Sequence, residues 1–555
     1  MHVSTEFFQD GPRLANQYES DELLRSYLRW RLPSDVRRDI EPDLRGFGER
    51  AATDILALGN AAEAEAPKHV PYDAWGRRID DIVVSDAWRA LDRISAEEGL
   101  VAIAYERRHG AWSRVYQMAK LYLFHASSAT YSCPLAMGDG AARFLEVHGD
   151  SDAARSAFEH LVTRDPQRFW TSGQWMTERT GGSDVSNTST IAHRDDATGK
   201  YELYGTKWFT SATTSQMAMA LARIEGAPQG SRGLSVFLIE LRDQNGALQG
   251  IRVNRLKDKL GTRALPTAEL TLDGTPATLV GGAGDGVRKI AALFNVTRVY
   301  NAVAAISGMR RAIALAYDYA TRRVAFGKTL IEQPLHVATL AELDLRLRAS
   351  FLLTFRAVEL MGKEECGEAS ATEQALLRLL TPVAKLYTAK QAVTVASEAL
   401  EAFGGAGYIE DTGLPRLLRD AQVLPIWEGT TNVLSLDTWR AIERTNALEP
   451  WLDDIHARVD VDLPESLRVA AQRTRDAADR IARHIATTPD AAQREASARR
   501  LAFAIARATA AVSLIEFAAW LSRDTDGREA QNAVRAAQQW TARNLAAGLS
   551  AADHS

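Results

Sequence analysis

Residues 200–212, KYELYGTKWFTSA, decide how this chain can fold. Apolar and aromatic residues alternate with polar ones here, which is the period of a half-buried strand and not of a helix. The same pattern continues in both directions. MAMALARIE (217–225), GLSVFLIELR (233–242), GIRVNRL (250–256) and TAELTLDG (267–274) are short strand-like runs separated by Gly, Asp and Asn turns. From about Trp170 to Gly286 the chain therefore predicts a β domain.

Helical spacing dominates on either side. DELLRSYLRWRL (21–32), DAWRALDRISAEEGLVAIAYERR (86–108) and SRVYQMAKLYLFHASSATY (113–131) carry apolar residues three and four apart, and the first ~165 residues read mostly as helix. Pro33, Pro67 and Pro71 punctuate that region. Helix returns at about Val287, in a long run to Arg323 with a break expected near Gly308. A second helix follows Pro334, a good first-turn residue, and a third ends at Gly404 and Gly405. Long helices adjacent in sequence imply a bundle. Beyond about Leu448 lies a further helical segment, rich in Arg and Ala and without Lys.

Composition narrows the functional classes. The 555 residues suggest about three or four domains. Hydrophobic residues at 46% and charged ones at 25% allow a sizeable core. A net charge of -5 gives no global case for binding nucleic acid or an anionic membrane. Cys133 and Cys366 lack zinc-ligand spacing, no metal site is expected, and a reducing compartment such as the cytoplasm fits. Residues 1–17 lack the cationic start and apolar core of a secretory leader. The best candidate for a membrane span, 501–521, contains Arg507 and Glu516 and reads as a packed helix.

Four stretches could carry chemistry. In WMTERTGGSDVSNTST (175–190), Gly181 and Gly182 allow close backbone approach, and Thr177 and Ser183 offer hydroxyl donors. The same run also reads as an ordinary Gly-Gly turn with a Ser or Asp cap. No G-x-G-x-x-G occurs here, at 281–286 or at 403–408, so a Rossmann site is unsupported. Trp208, Phe209, Thr210 and Ser211 set aromatics beside hydroxyls, suited to a flat ring or to a core strand. In TRRVAFGKTL (321–330), Arg322, Arg323 and Lys328 surround Phe326 and Gly327, and suit a pyrophosphate or a solvated basic turn. His336 stands on an apolar face and reads as a packed histidine rather than a catalyst. Finally, VLPIWEGTTNVLSLD (423–437) holds a lone acid, Glu428, between an indole and a glycine. A surface loop would usually offer an acid solvent and polar company, and a core would usually reject an unpaired buried charge.

These motifs together resemble the FAD-dependent acyl-CoA dehydrogenase family. MTERTGGSDV (176–185), KLGTRALPTAEL (259–270), RRVAFGKTLIEQPL (322–335) and FGGAGYIEDTGLPRLLRDAQVLPIWEGTTN (403–432) occur in the family's order, over about half the chain. The variant details and the long C-terminal extension are most similar to the branch containing the alkylation-response protein AidB and AidB-like acyl-CoA dehydrogenases. The resemblance implies an α+β fold, mostly α, with four domains: an N-terminal helical domain (1–168), a middle β-barrel-like domain (169–286), a helical four-helix bundle (287–445) and an extra helical domain (446–555).

The resemblance also implies roles. Met176, Thr177 and Ser183 match the loop along the flavin edge, and Ser183 lies where the family contacts acyl-CoA. Phe209, Thr210 and Ser211 match the W-I-T triplet beside the isoalloxazine ring. Arg323 matches the arginine that reaches the FAD pyrophosphate of a neighbouring subunit, with Phe326 close by. Gly404 and Gly405 match the glycine pair at the adenosine half, and Thr430 and Asn432 stand where T-x-Q meets FAD. Arg298 matches an arginine near the substrate. Glu428 aligns with the base that removes the thioester α-proton, and Gly429 lets backbone and substrate approach closely. In the family the Glu N–H is one donor to the thioester carbonyl. Acyl-CoA substrate, an electron-accepting protein and a homotetramer are the implied partners. Asn295, Glu401, Pro334 and Arg179 depart from common family residues and set the chain apart from standard fatty-acid oxidation enzymes. DNA is a further candidate partner through Arg494, Arg499, Arg500 and Arg507 in the extension, although that region also carries many acids. Sequestration of acyl-CoA without turnover is a third reading.

Overall fold

The computed structural model describes residues 10–195, 199–525 and 527–549. The leader reading of residues 1–17 lies in part outside them. The described chain forms two compact units: Met1–Ala52, His109–Leu123 and Asn301–Ser555 in the first, and Thr53–Arg108 with Phe124–Tyr300 in the second.

Helices α1 (Glu22–Arg31), α2 (Ser34–Ala52) and α3 (Asp54–Ala64) open the chain. Asp21 starts α1 by accepting from the Leu24 N–H, which satisfies an end group of the helix. Strands β1 (Lys68–Tyr72) and β2 (Arg78–Val83) then form an antiparallel hairpin. This hairpin corrects the helical reading of the first ~165 residues. Its side chains are mostly solvent-facing, so it lacks the apolar alternation that marks a strand. Next come α4 (Asp86–Glu97), α5 (Ala102–Glu106), α6 (Trp112–His125), α7 (Ser132–His148) and α8 (Asp152–Leu161). Gly99, at φ +62°, turns the chain between α4 and α5.

The β region is built from β3 (Ser172–Trp175), β4 (Ile191–Arg194), β5 (Tyr201–Ser211), β6 (Met217–Ile224), β7 (Leu234–Glu240), β8 (Ile251–Leu256) and β9 (Thr267–Val280). Pairings run β6–β7–β9–β5–β4 and return to β6, so five strands close a ring. Closure leaves no edge among those five. β3 adds parallel to β6, and β8 adds antiparallel to β9. The strands at 200–274 lie where period-two spacing places them. β3 and β4 are only four residues long, too short to show a period. Met217, Met219, Leu221, Val236 and Leu238 from this sheet pack with Phe144, Leu145 and Leu161 in one core.

A four-residue helix, α9 (Gly286–Lys289), leads into the long α10 (Ala291–Arg322). The break expected at Gly308 does not occur. Ile306, Ser307 and Met309 beside it are buried, and that packing outweighs the ~1 kcal/mol cost of a glycine in a helix. Strands β10 (Val324–Ala325) and β11 (Lys328–Thr329) make a minimal hairpin. Then come α11 (Pro334–Glu365), with Pro334 in its first turn, and α12 (Ala371–Glu401), opened by a capping box of Ser370 and Glu373. They are followed by α13 (Leu414–Ala421) and α14 (Thr431–Thr445).

The C-terminal segment forms α15 (Leu448–Val459), α16 (Glu465–Ala486), α17 (Ala491–Asp524) and α18 (Arg528–Thr541). It belongs to the first unit and packs on α11, α12 and α14. An ionic chain crosses this seam. Arg31 pairs with Glu359 at 2.7 Å, Arg356 with Asp454 at 2.7 Å, and Arg458 with both Asp454 at 3.0 Å and Glu516 at 2.7 Å. Residues 286–322 and helix α17 are long and apolar enough to cross a membrane by length and composition. Their most apolar stretches are 72% and 83% buried within the protein, so both are core helices.

Candidate functional site

The loop that carries Glu428 joins α13 to α14 in the first unit. Glu428 adopts the left-handed conformation at φ +58°, and Gly429 follows at φ +105°. For a glutamate this conformation costs roughly 1–3 kcal/mol and persists only where surrounding contacts impose it. Four hydrogen bonds do so. The Lys385 ammonium, fully buried on α12, donates to the carbonyl oxygens of Trp427 at 2.5 Å and Gly429 at 2.7 Å. The Trp427 indole N–H donates to Asn301 Oδ1 on α10. The Thr430 hydroxyl caps α14 by accepting from the Val433 N–H. Charge-assisted hydrogen bonds stabilise by about 1.5–3 kcal/mol each, so the two from Lys385 suffice to offset the strain. A Cβ on Gly429 would stand 2.9 Å from Leu434 Cδ2, so glycine is required there. The carboxylate of Glu428 is left half-buried on a fixed turn.

In the first turn of α14, Asn432 Oδ1 accepts from Arg499 of α17 at 3.3 Å. No motif pointed to this contact, because 67 residues separate its partners. The other arginines of the extension mostly face their own unit. Arg494 pairs with Glu443 at 2.7 Å, and Arg507 donates to the Leu545 and Ala547 carbonyls.

A second group of expected residues gathers elsewhere in the first unit. Phe326 and Gly327 form the tip of the β10–β11 hairpin with φ +52° and +77°, the backbone that a two-residue hairpin turn demands. Phe326 is fully exposed. Arg322 is engaged with Asp318 and the Gly11 carbonyl, whereas the exposed Arg323 side chain has no partner among the described residues. Phe403 packs on Tyr319 with ring centroids 5.0 Å apart, and both join a cluster with Ala316, Leu340 and Leu414. That cluster brings the Gly404–Gly405 turn to the same end of α10 as Arg323. Nothing lies within 4 Å of a Cβ placed at either glycine. Gly407 differs: a Cβ there would meet the Leu400 carbonyl oxygen at 2.0 Å. It is the packing glycine of the motif.

The remaining expected residues lie in the second unit. Met176 is buried in the β core at the end of β3, and the Thr177 carbonyl accepts from the Trp208 N–H at 3.0 Å. Glu178 then enters the interior. It meets the fully buried Lys207 ammonium at 2.8 Å and accepts from the hydroxyls of Thr190 and Ser189. Burial opposes its ionisation, but the Lys207 charge and these hydrogen bonds outweigh burial and hold the carboxyl below its ordinary range. Local pattern does not reveal this pairing, because it spans 29 positions. Held by this pair, the loop presents Ser183 to solvent, while Asp184 caps a short turn by accepting from the Ser186 N–H.

On β5, simple alternation would put Lys207 and Phe209 on one face. A bulge between Lys207 and Thr210 changes that. Lys207 and Thr210 point inward, and Phe209 is 56% exposed. The Thr210 hydroxyl donates to the Ala268 carbonyl at 2.8 Å, which leaves its oxygen lone pairs as acceptors. Ser211 shares a hydrogen bond with Thr267. The Lys257 ammonium sits over the rings of Trp208 and Phe209, at 3.7 and 4.7 Å from their centroids. Arg298 on α10 is half-buried, with its guanidinium 6.0 Å from the Phe294 ring centre. His336 is half-buried; burial pushes its pKa down, as expected for a packed histidine.

Each unit carries its own set of expected groups. One offers an exposed aromatic ring, hydroxyls and a Gly-Gly loop. The other offers an unengaged guanidinium, an open glycine turn and a carboxylate on a constrained loop. These chemistries fit a flavin dinucleotide: a flat ring, a pyrophosphate and an adenosine. Among the described residues no His/Cys/Asp/Glu group suits a metal.

Comparison with known proteins agrees. Residues 12–165 match the adaptive response protein AidB N-terminal domain, and 173–275 match the acyl-CoA dehydrogenase middle domain. Residues 284–442 match the acyl-CoA dehydrogenase C-terminal domain, and 446–554 match an acyl-CoA dehydrogenase 11 C-terminal domain-like family. Acyl-CoA dehydrogenase family member 11 of Caenorhabditis elegans is 44% identical over 92% of this chain and 86% of its own length. Putative acyl-CoA dehydrogenase AidB of Escherichia coli K12 is 32% identical over 80% and 82%. The crystal structure of the C. elegans protein ACDH-11, in complex with C11-CoA, superposes with a TM-score of 0.93 at 42% identity, over 98% of this chain and 94% of that one. The chain belongs to the acyl-CoA dehydrogenase family, in the branch that holds AidB and ACDH-11.

Proposed function

We propose that this protein dehydrogenates an acyl-CoA thioester between Cα and Cβ, with Glu428 as the base and FAD as the cofactor. The observation that carries this reading is the Glu428 loop, where a carboxylate is held in a strained backbone by contacts from three helices. Backbone strain of this kind clusters at functional sites, where the surrounding structure imposes it. Bound FAD supplies the two-electron sink that accepts the β-hydride. Arg323 would reach the FAD pyrophosphate of a neighbouring subunit, Gly404 and Gly405 would border an adenosine half, and Thr430 and Asn432 would also contact FAD. Met176, Thr177, Ser183, Phe209 and Ser211 would border its ring.

The protein's own work is proton removal and positioning. A thioester α-hydrogen is a weak acid, so the base must be placed against it and the enolate-like charge must be stabilised as it forms. Glu428 takes the proton, and the Glu428 N–H is a donor for the thioester oxygen. Gly429 keeps this turn free of a side chain. Ser183 and Arg298 would contact the acyl-CoA. The C11-CoA carried by ACDH-11 supports an acyl thioester ligand. The exposed Phe326, Leu335, Tyr408 and Ile426 support assembly of several copies, in keeping with a homotetramer. An electron-accepting protein would reoxidise the enzyme, and a cytoplasmic location suits it.

The test is a visible spectrum of the purified protein with a panel of acyl-CoA thioesters and an artificial electron acceptor. Bound flavin that bleaches with at least one thioester is the expected result. Absence of flavin, or no bleaching with any member, would overturn the reading. Glu428→Gln should keep flavin bound and lower turnover by roughly 10²–10⁴-fold.

A further inference from the structure

We propose that Lys385 is a positioning residue for the base loop: it fixes the peptide planes around Glu428 and turns the Glu428 N–H away from α12, as a polarised donor for the thioester oxygen. The inference rests on the dehydrogenase reading above.

The geometry is simple. The Trp427 carbonyl points at the Lys385 ammonium, 2.5 Å away. No peptide bond in the described chain is cis. In a trans peptide the carbonyl and the following N–H point in opposite directions. The Glu428 N–H therefore points away from α12. The second bond, to the Gly429 carbonyl at 2.7 Å, fixes the Gly429–Thr430 plane, one residue beyond the base. Glu428 thus has a lysine-held peptide plane before it and another one residue later, and its own φ is left-handed.

The same contact acts electrically. A cation at a carbonyl oxygen draws electron density from its peptide and strengthens that peptide's N–H as a donor, by about 10–30% per linked bond. The thioester oxygen gains negative charge as the α-proton leaves. A donor already aimed there contributes more to the transition state than to substrate binding. An ammonium, with three donors on one atom, can bridge two carbonyls of one turn. A lysine buried for packing alone would not need to bracket the base.

The test separates anion stabilisation from general binding by calorimetry with two inert ligands. A 3-thiaacyl-CoA has an acidified α-hydrogen and binds with enolate character. An S-alkyl-CoA thioether has no carbonyl at all. Lys385→Met should weaken the first about tenfold and leave the second within about twofold, with kcat down roughly ten- to hundredfold and KM little changed. Lys385→Arg should restore part of both losses. Equal affinities for the 3-thiaacyl-CoA in wild type and Lys385→Met would overturn the proposal, as would an equal loss on both ligands. If Lys385→Met does not fold, Lys385→Gln is measured in its place. Failure of both to fold would assign Lys385 to stability alone and also overturn it. A wild type that binds neither ligand and bleaches with no thioester would instead overturn the dehydrogenase reading.

Discussion

Lys207 and Lys385 are both fully buried, yet they do different work. Lys207 meets a carboxylate, Glu178, and ties β5 to the loop after β3. Lys385 gives two of its donors to backbone carbonyls on either side of a third residue, Glu428. In the first case the charges neutralise each other and the product is a rigid platform. In the second the cation is applied to a strained turn, and the product is an aimed carboxylate and an aimed N–H. A buried charge is informative chiefly through what it touches.

Breaking the first lysine's contact should have the largest effect on stability. Glu178→Gln leaves Lys207 buried without its counter-ion and should destabilise the protein by about 3–5 kcal/mol. The double variant Glu178→Gln/Lys207→Met removes both charges and should recover much of that loss, as read by denaturant unfolding. If the double variant is no better than the single, the platform role fails. Acid probes the same pair. The Glu178 carboxyl has a lowered pKa in the folded state, so its contribution is complete above the ordinary glutamate value of 4.5 and is lost as pH falls through the lowered one. Melting temperature should drop on acidification in the native protein, and less so in the double variant.

The second lysine's loop gives a smaller stability effect and a larger functional one. Gly429→Ala places a Cβ at φ +105° and against Leu434, and should cost roughly 1–3 kcal/mol. Turnover should fall with it. Normal turnover in this variant would show that the turn tolerates reshaping and would weaken the contrast between the lysines. The smallest effect is expected at Arg499, whose contact with Asn432 is long and exposed. Arg499→Ala should change stability by no more than about 0.5 kcal/mol. A larger change would tie the C-terminal extension more closely to the base loop than its geometry suggests.

Much of the fold is legible in the sequence because hydrophobic period is a local property. Tyr201–Ser211 is a strand and Pro334 opens a helix, as their local chemistry requires. The β1–β2 hairpin is not legible, because its mostly exposed side chains carry no alternation. Nor is the continuity of α10 through Gly308, since packing decided it. Of the candidate site, Glu428 stands out by the apolar company it keeps, and Arg323 by its aromatic and glycine neighbours.

The sequence by itself determined the order of helical and β segments, the motifs and the identity of the lone acid, because each is written in neighbouring residues. Tertiary structure alone decided that Lys207 meets Glu178, that a bulge sends Thr210 inward and Phe209 outward, and that Lys385 grips the turn at Glu428 from 42 positions away. Those contacts join residues with no local relation. Burial and hydrogen-bond geometry choose among them only once the chain has folded.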